Sequence, residues 1–382
     1  MEHNVLNEDE LDDWLIESIK LYDDLHVFEL QETTQVIEWT GEKSVCVAGC
    51  KSVSRNEILE LALPQRLYSK QNQGLCPERD FKVVHGGFSD RPISCLKHIR
   101  GTRILVSSGP PDSSLQLWQI GADGSDVIKP LHCIHNKEHT KNWSRIATSD
   151  SGSPCVLHGS KVKDIQVTDL ESKKAVYSLD TDNTDSVSSL ELLSKDEFLL
   201  CSGKGHLWLA DMRQPGSLAT PCTLLPQGEG LHWCMGLRNR LSESDAASSR
   251  VARLSSFGHV LVTDMRDASS PLCQAKLNLS CDSSDYNIMT VTWAPALDDC
   301  LAVSGFNGKV HIYNTKSWIP TFTEEEPLFI HKGHAIAEGP GDRSSAVVTT
   351  HVWHPWKPRT LLSAATNGSL HVWDWIDQKM ES

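Results

Sequence analysis

VTTHVWHPWKPRTLLSAATNGSLHVWDWID, residues 348–377, holds three short β-like runs, Val348–Trp353, Thr360–Ala364 and Ser369–Trp373. A Pro-containing connection separates the first two, and Asn367-Gly368 joins the second two. Asn-Gly between alternating apolar residues is the strongest short-range hairpin signal, because a type I′ turn requires positive φ at both central residues. A sheet this small cannot hide its apolar face alone, so the rest of the chain must supply siblings.

Upstream stands Gly333-His334, and the run ends in Trp373-Asp374, about forty residues later, the spacing of one WD40 propeller blade. Asn367 precedes Trp373 by six residues, and that interval serves as a ruler. It places Asn307 before Tyr313 in VTWAPALDDCLAVSGFNGKVHIYN, where Trp293 and Pro295 stand sixty residues before Trp353 and Pro355. It also sets Asp112 before Trp118, and weaker copies end at Ala62, Thr168, Ala210 and Thr263. Seven units result, a number at which four-stranded blades close into a ring. The fold class is all-β: a seven-bladed WD40 β-propeller over residues 26–376, with a short amphipathic helix in residues 1–25 and a tail at 377–382.

Nothing after Trp375 is long enough to give the last blade its outer strand, whereas His26–Gln31 alternates suitably. The expectation is that this segment pairs with the last blade and clasps the ring, since an open ring leaves strand edges unpaired. Third-strand anchors are uneven. A buried Trp covers roughly 150–250 Å², worth at most about 4–6 kcal/mol at about 25 cal/mol/Å². Trp118 and Trp373 keep that anchor and Tyr313 keeps part of it. Blades one, three, four and five should be looser, and Trp318, in a predicted loop, should matter far less than Trp373. Pro64–Asp80, which precedes the second blade, Gln214–Arg250 and Trp318–Ser345 read as insertions or long loops, with LHWCMGL a strand inside the second.

Fifty acidic against 36 basic side chains leave a formal charge of −14 over 382 residues. That argues against gripping a nucleic-acid backbone and favours basic protein partners. The acidic N-terminus lacks an apolar signal core, and no apolar run reaches bilayer-spanning length. Twelve Cys without a C-x-x-C pair suggest reduced thiols in a cytosolic or nuclear protein. No Walker loop, G-x-S-x-G, H-E-x-x-H or dinucleotide fingerprint occurs. His132, Cys133, His135 and His139 match no established metal spacing, so no metal, cofactor or catalytic residue is expected. His85-Gly86-Gly87 lies where a blade's opening Gly-His would fall, and His85, Asp112 and Trp118 suggest a structural hydrogen-bond chain in the second blade. In the last blade His334, Ser363 and Trp373 are present but Asn367 replaces the usual Asp, so these chains read as mostly incomplete.

Asn7 to about Asp24 reads as a helix: Asn7 with Glu10 fits a capping box, and the acids around them suit the helix dipole. Trp14, Leu15, Ile19 and Tyr22 fall on its apolar stripe, which either packs on the propeller or docks a partner. With Glu324, Glu325 and Glu326 they are the candidate partner-binding residues.

GLCPERDFKVVHGGFSDRPI (74–93), NEILELALP (56–64), the 291–314 and 347–375 blades and DDWLIESIKLYDDL together resemble the WD repeat-containing protein 73 family over nearly the whole chain. The resemblance implies a non-enzymatic cytoplasmic protein, also found at spindle poles and the cleavage furrow and linked to microtubule organisation. It implies association with the catalytic and paralogous subunits of the Integrator endonuclease module, and with the BRCA1-associated ATM activator. It implies, too, an assembly factor that holds the pair and covers its active site before nuclear import. Two other readings stand beside it. Asp211-Met212-Arg213 and Asp264-Met265-Arg266 keep part of a W-D-x-R adaptor segment of cullin-4 ubiquitin-ligase receptors, but Ala210 and Thr263 replace its Trp. A direct microtubule binder is poorly served by an acidic surface, tubulin being acidic too.

Overall fold

The computed structural model describes residues 16, 20–49, 55–64, 80–121, 124–135, 142–149, 154–214, 218–219, 225–226, 230–238, 250–280, 286–336 and 346–376. Its strands fall into seven sheets, antiparallel apart from one added edge strand, and six of them run outward in chain order from a first, inner strand. Blade one comprises Thr34–Gly41, Ser44–Gly49, Asn56–Ala62 and Lys82–Ser89; blade two Cys95–Ile99, Ile104–Ser108, Leu115–Ile120 and Ile128–Ile134. Blades three and four begin at Arg145–Thr148 and Val187–Leu192, and blade five at Trp233–Arg238, within the expected LHWCMGL strand. Blade six runs Thr290–Trp293, Cys300–Ser304, Val310–Asn314 and Phe329–His331. All seven ruler positions, Ala62 to Trp373, lie on third strands.

Blade seven is the exception that closes the ring. Val348–Trp353, Leu361–Ala365 and Ser369–Trp373 take their fourth strand from Leu25–Glu29, which pairs antiparallel with Ser369–Trp373, Leu25 opposite Trp373 and Glu29 opposite Ser369. The expected clasp is therefore present. Across the next junction Trp39 Nε1–H donates to the Trp353 carbonyl at 3.0 Å, and Thr349 Oγ1 to that of Thr34. Apolar side chains from blade seven and blade one, among them Val372, Leu370, Val47 and Leu61, fill one shared core. Inter-blade packing is where each sheet hides the face it cannot bury alone.

Three expectations are corrected by packing. The Pro64–Asp80 insertion lies inside blade one, between its third and outer strands, and not between blades. His85-Gly86-Gly87 is part of that outer strand and not a blade opening. Its glycines admit the connection of the next blade: Gly86 N–H donates to Asp126 O at 2.9 Å, and a Cβ on Gly87 would collide with the Ile128 carbonyl. Trp318 is buried, 7% exposed, against Tyr313 with ring centroids 6.2 Å apart. From there the chain turns back over its neighbour, and Glu324–Glu325 adds a fifth strand, parallel to Cys273–Leu277, on the edge of blade five.

Trp373→Ala should cost about 3–5 kcal/mol, the range for truncating a buried aromatic. Because Trp318 is similarly enclosed, Trp318→Ala should fall in the same range. Urea unfolding of both variants checks this, and a near-neutral Trp318→Ala would contradict the packing described.

Candidate functional site

A buried polar cluster lies where the closing strand meets blades six and seven. His331 sits on the outer strand of blade six, His334 on the short helix Gly333–Ile336, and His371 on the third strand of blade seven. Their hydrogen-bond partners assign the tautomers. Ser369 Oγ donates to Asn367 Oδ1 at 2.6 Å, so it accepts from Nδ1–H of His334, also at 2.6 Å. His334 Nε2 then carries a lone pair and accepts from Ser363 Oγ at 2.8 Å, while Ser363 accepts from Trp373 Nε1–H at 3.0 Å. The chain expected to be incomplete is thus whole in blade seven. Ser369 spans the gap, and an amide oxygen serves as final acceptor where a carboxylate was looked for.

A second chain runs from Tyr22, whose hydroxyl lies 2.9 Å from His331 Nδ1, to His371, whose Nδ1 lies 2.9 Å from His331 Nε2. The Lys332 backbone also bonds the phenol. With Tyr22 donating, His331 Nε2–H donates onward and His371 Nε2 is left buried without a partner. Burial drives the pKa of His371 down to about 3 and holds His331 and His334 well below the ordinary value. The three rings bring nitrogens within 4.8 Å of one another, a metal-like proximity. Yet His334 and His371 are stacked 3.8 Å apart at 13°, so their in-plane lone pairs run in nearly parallel planes, and both His334 nitrogens are occupied by serines. The cluster is a neutral strut and not a set of convergent ligands.

Blade two is built otherwise. Trp118 Nε1–H donates to Ser107 Oγ at 2.8 Å, but Asp112 takes Arg91, at 3.0 Å, where an imidazole was expected. His85 is instead 2.6 Å from Glu60, with Arg103 3.7 Å from the same carboxylate. The expected trio His85, Asp112 and Trp118 is not brought together. In blade six Asn307 turns its side chain to Lys309 N–H, 3.0 Å away, and Tyr313 is a buried anchor. His351 joins blades seven and six, bonding Thr292 and Ser304 at 2.7 Å each.

Of the candidate partner-binding residues, Trp14, Leu15 and Ile19 lie outside the described residues; within the predicted helix Ile16, Lys20 and Leu21 are helical. Tyr22 belongs to the core, 6% exposed, its ring meeting Phe329 edge-on at 5.3 Å. Glu324 and Glu326 are exposed on the rim of blade five, and Glu325 accepts from Thr323 Oγ1 at 2.9 Å. His132 and Cys133 are neighbours on a strand, so their side chains leave on opposite faces; His139 lies outside the described residues. Arg213 and Arg266 each fold back on their own Asp211 and Asp264, with closest contacts of 2.7 and 2.5 Å. An ion cluster that spacing did not reveal joins blades five and six: Arg238 reaches Asp298 at 2.5 Å and Asp299 at 3.3 Å, and Arg250 reaches Asp299 at 2.5 Å. Its members are some fifty to sixty residues apart in the chain, which local pattern cannot register.

Proteins of Danio rerio, Xenopus laevis and Homo sapiens, each described as the Integrator complex assembly factor WDR73, are 49%, 46% and 45% identical to this chain. The alignments cover 98%, 95% and 96% of this chain and 98% of each relative. The chain belongs to the WDR73 family. Its members are WD repeat proteins, in agreement with the seven blades. An assembly role in their name and a propeller scaffold together point to a non-catalytic protein. No protein-family model matches.

The buried imidazoles make stability depend on pH. His158, His351 and His371 have folded pKa values lowered to about 3 by burial, with His331 and His334 also depressed. Folded values below the unfolded one mean that their contribution is full above about pH 6.5 and is lost as pH falls toward the folded pKa. Each histidine removes about 1.4 kcal/mol per pH unit in that window. Urea midpoints should therefore drop steeply between pH 6.5 and 5, with net proton uptake on unfolding; a flat midpoint over that window would refute the neutral-strut assignment.

Proposed function

We propose that this propeller is an assembly scaffold for the Integrator complex, binding its RNA-endonuclease pair in the cytoplasm and shielding the active site before nuclear import. The observation that carries this reading is the 44–49% identity to proteins described as Integrator complex assembly factors, over nearly the whole of both chains. The charge of −14 supports it, since an RNA-cleaving site must attract a polyanion and an acidic rim suits its occupation. A ring stiffened by neutral hydrogen-bond chains supports it too, because a scaffold must hold its partners in one geometry. The BRCA1-associated ATM activator is a further partner on this reading, and any spindle role runs through partners, as the acidic surface repels tubulin.

Capture of the purified endonuclease pair by three proteins tests the proposal: the full chain, a chain lacking residues 1–19, and a Glu324–Glu326 charge reversal. The truncation keeps Tyr22, which the fold needs. At least one variant should bind about ten-fold more weakly and with a shallower salt dependence. Unchanged affinity and salt response in both would reject the shielding mechanism, and no capture by the full chain would reject the scaffold itself.

A further inference from the structure

Blades four and seven follow one pattern, and laying one on the other shows what blade four lacks. Trp353, Leu361 and Trp373 stand in register across the first three strands of blade seven, as Leu192, Phe198 and Ala210 do in blade four. Two residues further on, Trp375 corresponds to Met212. The three indoles of blade seven form one buried group, Trp375 lying 6.0 Å from Trp353 and 6.2 Å from Trp373. Phe329, on the outer strand of blade six, stacks on Trp375 at 5.8 Å. Its counterpart is Tyr177 on the outer strand of blade three, Ala175–Ser178. Phe329 pairs with Ile312 and Tyr177 with Val167, in each case the residue before the third-strand ruler position. Blade four thus has Leu192, Ala210 and Met212 where blade seven has three tryptophans. Phe198, larger than Leu361, meets the Tyr177 ring edge-on at 6.0 Å but does not make up the volume.

A cavity of about 340 Å³ remains between blades three and four, with Leu157, Val167, Leu192, Met212 and Tyr177 among its walls. An apolar cavity of about 150 Å³ suffices to hold benzene, so this one has room for a fused pair of rings. Its other polar walls are Ser149, Cys155, Ser194 and Lys195. The charges about it are already engaged. Lys195 Nζ is 4.0 Å from Asp196, and Arg213 donates to Asp211 from Nε at 2.9 Å and Nη2 at 2.7 Å. Asp169, 3.9 Å from Cys155 Sγ, accepts the Ser172 N–H at 2.7 Å. Burying an ion among such groups is costly, which favours a neutral guest. One wall group is not engaged: Tyr177 is 8% exposed, and its hydroxyl is buried without a hydrogen-bond partner. Burial and then Asp211 raise its pKa, so the phenol keeps its proton and is a donor. A guest carrying an acceptor relieves the cost of that orphan hydroxyl.

We infer that the cavity between blades three and four is a binding site for a neutral, planar, bicyclic aromatic molecule with one hydrogen-bond acceptor. The rings take the place that indoles occupy in blade seven, against Val167, Leu192 and Met212, and the acceptor receives the Tyr177 hydroxyl. Neither blade has an aromatic at its third-strand ruler position, where Thr168 and Ala210 stand, so the guest adds packing that blade seven draws from its own side chains. The site is distinct from the rim acids of blade five and does not depend on the Integrator role.

Quinoline and naphthalene test it, because they share a shape and only quinoline carries a ring-nitrogen acceptor. In saturation-transfer NMR titrations of the full chain at neutral pH, quinoline should bind at least about five-fold tighter, the scale of one neutral hydrogen bond. Tyr177→Phe should erase that preference and still bind naphthalene. Met212→Trp, which supplies the residue that blade seven has, should abolish binding of both without lowering the melting temperature. No binding of either probe, equal binding of the two by the wild type, or a preference that survives Tyr177→Phe would overturn the inference. Undiminished binding by Met212→Trp would do so too, placing the probes elsewhere on the molecule. So would a wild-type dimer in sedimentation velocity that Met212→Trp dissolves, which would assign the space to a side chain of a second copy.

Discussion

Antiparallel pairing of Leu25–Glu29 with Ser369–Trp373 is the constraint on which everything else hangs. Each blade is a sheet too small to stand alone, and each is stabilised by neighbours on both sides. In a linear stack two faces would remain bare; here the N-terminal strand converts the two end blades into interior ones. Tyr22 strengthens the clasp from just outside the strand. Its ring lies among Phe329, His331 and Trp373, so the closing segment is held by apolar packing as well as by the backbone ladder. Asp24 N–H adds a bond to the Asp374 carboxylate at 2.8 Å.

The imidazole relays at this junction are buried and neutral. An imidazole deep in a low-dielectric core favours the uncharged form, and an uncharged chain of donors and acceptors avoids the desolvation cost of an ion pair. Asn367 fits that logic better than Asp would, since its amide oxygen terminates the relay without introducing charge. Elsewhere the ring is braced by ion pairs instead, with Arg91 on Asp112 in blade two and the Arg238–Asp298 cluster between blades five and six. The surface-accessible pairs among these contribute little individually.

A rigid ring leaves function to what projects from it. Among the groups it exposes are acids on the added strand of blade five and the Trp356 indole in a turn of blade seven. Membership of the WDR73 family and the propeller fold together suggest protein partners.

Local pattern sufficed for the blade number, the third-strand positions and the clasp, because alternation, Asn-Gly turns and a sixty-residue register can be read along the chain without knowing its contacts. Tyr313 and Trp373 lie on third strands, and Asn367 stands in the turn that leads into the last of these. It could not distinguish a blade opening from an outer strand at His85-Gly86-Gly87, since the glycines answer to a loop from the next blade. Nor could it see that Trp318 turns inward, that Glu324–Glu325 joins a neighbouring sheet, or that Ser369 completes the His334 relay. Burial and pairing between residues distant in the chain are decided only when the ring closes, because closure determines which side chains lose contact with water.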